Sequence, residues 1–131
     1  MVQIKYVVDT WAWIEYLISG SAGDKVKEIV ENEDNEIYIN SIILAEVISK
    51  SSMEKMDAKT AFDALTTLAA IADINKPDLS REAGLIHAEM RKQMKDFGLS
   101  DAFVMATARK LNARVLTGNP HFKGLKEAVM I

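Results

Sequence analysis

The hydrophobic positions of this chain fall into short β-branched runs that alternate with longer segments of helical spacing. Residues 4–8 form an apolar run that stops abruptly at Asp9, as is typical of a buried parallel strand. Apolar residues then recur at helical intervals over Thr10 to Ser19, a segment that Gly20 closes, and again over about residues 23–32. This pattern predicts a strand followed by two helices.

The same alternation continues to the end of the chain. Further helices are predicted from Ser41 to about Ser51, from an N-cap at Asp57, from Asp78 to about Asp96, and from Asp101 to Leu111 with Ser100 as N-cap. Further strands are predicted at Ile37–Ile39, Ile74, Ala113–Leu116 and Ala128–Ile131, with a polar turn over Thr117–His121. Such alternation predicts an α/β fold with a mostly parallel sheet covered on both faces, and residues 1–131 are expected to form one domain.

The composition is that of a soluble globular protein. Of the 131 residues, 49% are hydrophobic and 27% are charged, which excludes a disordered tail. There is no cysteine, so disulfides, zinc–thiolate sites and thiol catalysis are excluded, and a reducing cytoplasm is the expected location. No secretory signal and no apolar run long enough for a membrane span is visible.

The charge balance is unfavourable for a nucleic-acid-binding protein. The net charge is −3 and the isoelectric point is near 5.4, whereas contacts with phosphate favour a basic surface. This objection weakens if several acids cluster around a bound cation. Local positive potential could also come from three basic groups, at Lys50, Lys55 and Lys59, at Arg91, Lys92 and Lys95, and at Arg109, Lys110 and Arg114.

Three acids stand out by their positions. Asp9 ends the first strand, where a role as helix N-cap would also explain it. Asp101 lies in the first turn of a helix, where a favourable interaction with the helix dipole would explain it. Glu46 is flanked by Ile42 to Ala45 and by Val47 and Ile48, and an unpaired buried carboxylate is costly. A basic partner, a shifted pKa or a metal ion should therefore compensate it.

Acids on three separate elements could converge at the carboxyl end of a parallel sheet, where sites of α/β proteins form. Mg²⁺ suits such a cluster because it takes few carboxylates and retains water, and it can assist attack on a phosphodiester. Zinc chemistry is disfavoured, because His87 and His121 are the only histidines and have no ligand spacing. No glycine-rich phosphate loop, serine elbow or dinucleotide fingerprint is present.

At three segments the sequence resembles the PIN-domain nucleases, most closely the VapC-like toxins of prokaryotic toxin–antitoxin pairs. The segments are VVDTWAWIEYL at 7–17, SIILAEVISK at 41–50 and LSDAFVMATARKLNARVLTGNPHF at 99–122. The resemblance implies a three-layer α/β/α fold and cleavage of RNA that depends on Mg²⁺ or Mn²⁺. It also implies a homodimer and a cognate antitoxin that covers or enters the active site.

The resemblance assigns roles to individual residues. The three metal-binding acids of the family fall on Asp9, Glu46 and Asp101, and Thr10 and Thr117 fall on supporting hydroxyl positions. A fourth acid is common in the last loop of the family, but here that position is Asn119, so a second metal should bind more weakly. Asp96 could compensate, although a solvated loop acid is the expected interpretation. His121 and Lys123 are candidate contacts for phosphate.

Trp11 and Trp13 lie beside the first acid. An aromatic side chain there could stack on a base. Residues two apart on a helix point in different directions, however, so packing in the core or at an interface is expected for both.

Three competing interpretations stay open. One is a PIN-like module that binds RNA or protein but has weakened catalysis, which Asn119 in place of an acid would indicate. Another is a phosphoryl-accepting α/β domain. One form of such a site would need a second acid two residues after Asp9, where Trp11 stands. Another form would need paired acids after the first strand and a lysine after the last strand, and neither is present. A PIN nuclease of RNA processing would share the chemistry without the toxin role.

Overall fold

The computed structural model describes residues 3–131, and helices alternate with strands through this part of the chain. The helices are α1 (Thr10–Ile18), α2 (Gly23–Val30), α3 (Ser41–Met53), α4 (Ala58–Leu68), α5 (Pro77–Met90) and α6 (Leu99–Leu111). The strands are β1 (Lys5–Val8), β2 (Glu36–Asn40), β3 (Ala70–Ala72), β4 (Arg114–Thr117) and β5 (Ala128–Met130), and a short 3-10 turn lies at Pro120–Phe122.

The strands form one sheet in the order β3-β2-β1-β4-β5, and every pairing is parallel. Right-handed crossovers place α1 to α4 on one face, where they pack on one another, and the α5–α6 pair on the other face. The predicted three-layer α/β/α sandwich is therefore confirmed. The chain leaves β1 towards one edge of the sheet and β4 lies on the other side, so the C-terminal ends of β1 and β4 flank the point where the strand order reverses.

The buried core holds the two central strands in place. Val7 and Val8 of β1 and Val115 and Leu116 of β4 have no exposed surface, as expected for strands covered on both faces. Trp13 is also fully buried, and its indole N–H donates to the Val8 carbonyl at 3.0 Å. This packing fixes the position of the residues that follow each strand.

Two predicted elements in the middle of the chain were wrong. The third strand lies at Ala70–Ala72 and not at Ile74. The backbone of these three residues pairs with the free edge of β2, at Ile39 and the residue on each side of it. Alanine has no strong preference for a strand, so this pairing, and not local propensity, decides its conformation. Helix α5 begins at Pro77, a favourable first helical position, and ends at Met90, well before Asp96.

Several boundaries also differ from the prediction. The N-cap of α6 is Gly98 and not Ser100, so Asp101 occupies the third helical position and accepts the Gly98 N–H at 3.0 Å. The first helix ends at Ile18, one residue before the predicted end, and its C-cap is Ser19 in the left-handed conformation (φ 54°) and not Gly20. In residues 3–131, no helix is both long and apolar enough to cross a membrane.

Candidate active site

A cavity of about 220 Å³ opens beside the C-terminal ends of β1 and β4. Elements from both faces of the sheet contribute to it, because α1, α3, α6 and the loop after β4 meet there. The residues that line it are Asp9, Thr10, Trp11, Glu46, Lys50, Ser100, Asp101, Val104, Asn119 and Pro120. The three acids and the asparagine that the sequence singled out therefore face one cavity.

Asp9 is the most buried of these acids, with 6% of its surface exposed. It caps α1, since Oδ1 accepts the Ala12 N–H at 3.2 Å, while Oδ2 accepts the hydroxyl of Thr117. Burial raises the pKa of Asp9 to about 6, against the lowering effect of the Thr117 hydrogen bond, and the nearby charge of Asp101 raises it further. The ionised carboxylate is therefore held in a place that disfavours its charge.

Glu46 is only partly buried, so the expectation of a fully buried acid was wrong. The apolar stretch around it does not pack on all sides, and Ala45 and Ser49 on the same helix are exposed. The Glu46 Oε1 atom accepts the hydroxyl of Thr10 at 2.9 Å. Within residues 3–131 no lysine or arginine forms an ion pair with Glu46, although the exposed Lys50 lines the same cavity one helical turn later.

Asp101 is held by three donors from separate places in the chain. Its Oδ2 atom accepts the Gly98 N–H and lies 3.0 Å from Nδ1 of His121, and its Oδ1 atom accepts Nδ2 of Asn119 at 3.4 Å. The side chain keeps 17% of its surface exposed. Asp101 therefore interacts with the start of α6 and still presents a carboxylate to the cavity.

His121 bridges two carboxylates, a link that its position in the sequence did not suggest. While Nδ1 contacts Asp101, Nε2 lies 3.1 Å from Oδ2 of Asp96, a side chain that is 84% exposed. The hydrogen bond to Asp96 raises the pKa of His121, and the contact with Asp101 adds to this. Because both contacts are satisfied only when both ring nitrogens carry protons, the arrangement favours the imidazolium. No ring nitrogen then remains for the phosphate contact expected of His121.

Asn119 stabilises the loop after β4. Its backbone N–H donates to the Thr117 hydroxyl oxygen at 2.9 Å, and its side-chain oxygen accepts the His121 N–H at 3.0 Å. The amide group of its side chain donates to Asp101. Lys123, the other predicted phosphate contact, is exposed and is not among the residues that line the cavity.

Comparison with known proteins identifies the family. The sequence profile of the PIN domain matches residues 6–128, which is nearly the whole chain. The chain belongs to the PIN domain family. The resemblance to PIN-domain nucleases noted in the three sequence segments is thereby confirmed. No curated protein matches the chain.

Solved structures show the same fold as this PIN domain. VapBC2 from Rickettsia felis, bound to a DNA fragment from its promoter, is 21% identical with a TM-score of 0.72, over 98% of both chains. A toxin–antitoxin complex from Klebsiella pneumoniae is 24% identical with a TM-score of 0.72, over 95% of this chain and 96% of that one. VapC20 from Mycobacterium tuberculosis, described as a toxin that cleaves the sarcin–ricin loop, is 17% identical with a TM-score of 0.72, over 96% and 99%.

The donor set of this PIN domain fits a hard divalent cation. Asp9, Glu46 and Asp101 offer carboxylate oxygens, the ligands that Mg²⁺ and Mn²⁺ prefer, and burial destabilises the free charge of Asp9. Across residues 3–131, however, no three acidic or histidine side chains are gathered closely enough to form a ready-made metal cage. The carboxylates share one cavity, and each of them accepts hydrogen bonds from the protein.

The two tryptophans of this PIN domain have different environments. Trp13 belongs to the core, as expected. Trp11 is partly buried and lines the cavity together with the acids. This position was not predicted from the sequence, because packing in the core or at an interface was expected for both tryptophans. Of the basic group at Lys50, Lys55 and Lys59, only Lys50 lines the cavity. Sequence reasoning missed Ser100, Val104 and Pro120 as lining residues, because their only common feature is their meeting in the fold.

Proposed function

We propose that this PIN domain is an endoribonuclease that depends on Mg²⁺ or Mn²⁺ and serves as the toxin of a VapBC-type pair. The observation that carries the proposal is the convergence of three carboxylates, from β1, α3 and α6, on one cavity in which none has a lysine or arginine partner among the described residues. Crowded carboxylates repel one another, and a hard cation relieves this repulsion. The likeness in fold to VapBC complexes and to a toxin described as cleaving the sarcin–ricin loop supports the biological role.

Asp9, Glu46 and Asp101 would hold the cation. When bound, the cation would polarise a phosphodiester oxygen and make an attacking water more acidic. The described contacts prepare the carboxylates for this task, since Thr10 orients Glu46 and Thr117 orients Asp9. Gly98, Asn119 and His121 orient Asp101 in the same way.

Lys50 is the cationic side chain in the lining of the cavity, where it would attract the RNA backbone. Lys50 is exposed and forms no ion pair with Glu46 among the described contacts. Its ammonium group therefore remains available to a phosphate next to the one that is cut. A local positive charge of this kind helps a protein of net charge −3 to approach RNA.

The activity is tested with purified protein and a single-stranded or loop-containing RNA. Cleavage is expected with Mg²⁺ or Mn²⁺ and should stop with EDTA. Asp9→Asn and Asp101→Asn should abolish it while thermal unfolding stays cooperative. Asparagine is also an effective N-cap in place of Asp9, and its side-chain oxygen can still accept the Gly98 N–H in place of Asp101. Asp34→Asn, at an exposed loop aspartate, is the matched control and should cleave normally. Unchanged cleavage by both active-site variants would contradict the proposed roles.

The toxin role and the partners need separate experiments. We expect a homodimer in solution and a small antitoxin that copurifies with the chain and inhibits cleavage. Growth arrest on expression, relieved by that partner, would support the toxin role. Cleavage without growth arrest would instead favour a nuclease of RNA processing in the cytoplasm.

Asn119 gives a specific reason to keep a second candidate, a PIN module with weakened catalysis that still binds RNA or protein. Its amide lies where the family often has a fourth acid, and it is engaged with Asp101 and His121. This candidate predicts RNA binding without metal-dependent cleavage, which the same assay distinguishes.

A further inference from the structure

Trp11 has no part in the cleavage chemistry proposed above, yet its indole lines the cavity that the carboxylates share. The direction of its side chain follows from α1. Trp13 points into the core, and a residue two positions earlier projects about 200° away around the helix. Trp11 therefore packs only against the edge of the core and is turned towards the loop that follows β4.

Gly118 supports the indole from one side. A Cβ atom built on Gly118 would lie 2.4 Å from Cζ3 of Trp11 and 2.5 Å from both Cε3 and Cη2. Because the distances to one ring carbon and to both of its neighbours are nearly equal, that atom would lie over the face of the ring and not beyond its edge. The loop therefore covers one face of the six-membered ring, and the requirement for glycine at 118 comes from this close approach.

The surface that Trp11 gives to the cavity must then come from the rest of the ring. Val104 and Pro120 add apolar surface to the same cavity, whereas Asp9, Glu46 and Asp101 supply its charged part. One part of the lining thus suits an aromatic base, and another part suits a cation and a phosphate. A nucleotide has these two chemical parts joined by a sugar.

We propose that Trp11, backed by Gly118, is a stacking platform for one nucleobase of a single-stranded RNA substrate, next to the phosphate that is cut. The proposal rests on the proposed function, because the phosphate would lie at the carboxylate part of the same cavity. Stacking on an aromatic side chain tolerates different bases but needs an exposed base face. A base inside a duplex has both faces covered, so the platform selects unpaired RNA.

Cleavage kinetics test the platform with oligonucleotides that carry one abasic residue at successive positions. For the unmodified protein, one such position should lower kcat/KM by about tenfold, which is about 1.4 kcal/mol and within the range known for base stacking. Trp11→Ala should show the same loss on the intact oligonucleotide, mainly through KM, and no further loss from the abasic residue. Trp11→Phe should retain part of the effect. An abasic penalty that is undiminished in Trp11→Ala overturns the proposal.

Matched controls separate the platform from a general loss of stability. Gly118→Ala should displace the indole and mimic Trp11→Ala, whereas Gly84→Ala should have no effect, because a Cβ there meets nothing within 4 Å. Phe62→Ala removes an aromatic side chain that is 47% exposed on α4, away from the cavity lining, and should leave kcat/KM unchanged. Equal behaviour of Gly118→Ala and Gly84→Ala contradicts the platform.

Tryptophan fluorescence tests binding without any need for cleavage. The chain has two tryptophans, and the fully buried Trp13 is shielded from ligands. With Ca²⁺ in place of Mg²⁺, a single-stranded oligonucleotide should quench the emission, an abasic oligomer of equal length should not, and Trp11→Phe should remove the response. Equal quenching by both oligomers, no quenching, or quenching that persists in Trp11→Phe overturns the platform.

The two assays also separate the platform from the proposed function. Metal-dependent cleavage without the predicted quenching leaves the nuclease and refutes the platform. The predicted quenching without any cleavage supports the platform and refutes the nuclease.

Discussion

The burial of Asp9 predicts that its replacement by asparagine stabilises the protein when metal is absent. An acid whose pKa is higher in the folded than in the unfolded state binds its proton more tightly when folded. Its pKa rises from 3.8 to about 6, so folding loses stability as the pH rises from about 4 to about 6. Above pH 6 the free energy of unfolding has lost the full contribution of this pKa difference, which at 1.36 kcal/mol per pKa unit amounts to about 3 kcal/mol.

Asp9→Asn removes this cost because the amide has no charge. Asparagine caps a helix about as well as aspartate, so the hydrogen bond from the Ala12 N–H should persist. The loss of the charged acceptor for the Thr117 hydroxyl is already contained in this difference, because that hydrogen bond is one of the effects that lower the pKa of Asp9. We therefore expect a net gain of about 3 kcal/mol in the free energy of unfolding at pH 7.5 in EDTA.

Urea unfolding from pH 4 to pH 8 measures this effect. The difference between Asp9→Asn and the unmodified protein should be smallest or negative near pH 4 and grow until about pH 6. With Mg²⁺ at 100 times its dissociation constant, the unmodified protein should gain about 2.7 kcal/mol, and Asp9→Asn should gain much less. Asp34→Asn should follow the unmodified protein throughout. If Asp9→Asn is less stable in EDTA at pH 7.5, with a pH dependence parallel to that of the parent, the burial argument is wrong.

Three further predictions concern the groups that hold the carboxylates. Thr10→Val should lower kcat/KM by about tenfold, because a hydrogen bond to a charged group contributes about 1.5 kcal/mol, and Thr10→Ser should restore most of it in the same cleavage assay. The pKa of His121 is raised, so its contribution to stability is complete below pH 6.5 and is lost as the pH rises through the folded pKa. His121→Gln should therefore lower the urea midpoint in EDTA at pH 6 and have little effect at pH 9; an equal loss at both values would contradict the imidazolium. Asn119→Asp places a charge beside Asp101, so calorimetry should show tighter Mn²⁺ binding and thermal unfolding in EDTA should show a lower Tm, whereas no change in affinity would exclude the loop from the metal site.

Sequence patterns predicted the elements that are long or buried on both faces. The run that ends at Asp9 and the strand near Val115 were found because strands in the middle of a parallel sheet must be continuously apolar. The strand at Ala70–Ala72 was placed wrongly because three residues with alanine at both ends carry no periodicity, and only the free edge of β2 makes them a strand. Local signals cannot contain that information.

The candidate site shows the same division. Each acid was visible as an acid in an unusual place, and the order of the elements allowed all three to be expected at one sheet end. The contacts of His121 with Asp96 and Asp101, and of Trp11 with Gly118, join segments that are distant or irregular, so no spacing rule predicts them. The degree of burial of Glu46 was misjudged for a related reason, since apolar neighbours in sequence do not have to surround a side chain in space.

A structural role at the start of a helix and metal binding were alternatives for Asp9 and Asp101, but the hydrogen bonds of the two carboxylates make these roles compatible. A carboxylate has two oxygens with about four lone-pair positions, and capping uses one of these positions. Asp9 accepts the Ala12 N–H through one oxygen, and Asp101 accepts the Gly98 N–H through one oxygen, so each retains further lone pairs. The backbone N–H groups at the start of α1 and α6 thus fix the orientation of the carboxylates and leave lone pairs on them for other ligands. An asparagine at either position can still accept the backbone N–H through its side-chain oxygen, but it removes the charge and the second acceptor oxygen, which contacts Thr117 or Asn119. It therefore separates the cap at the helix start from the binding of a cation.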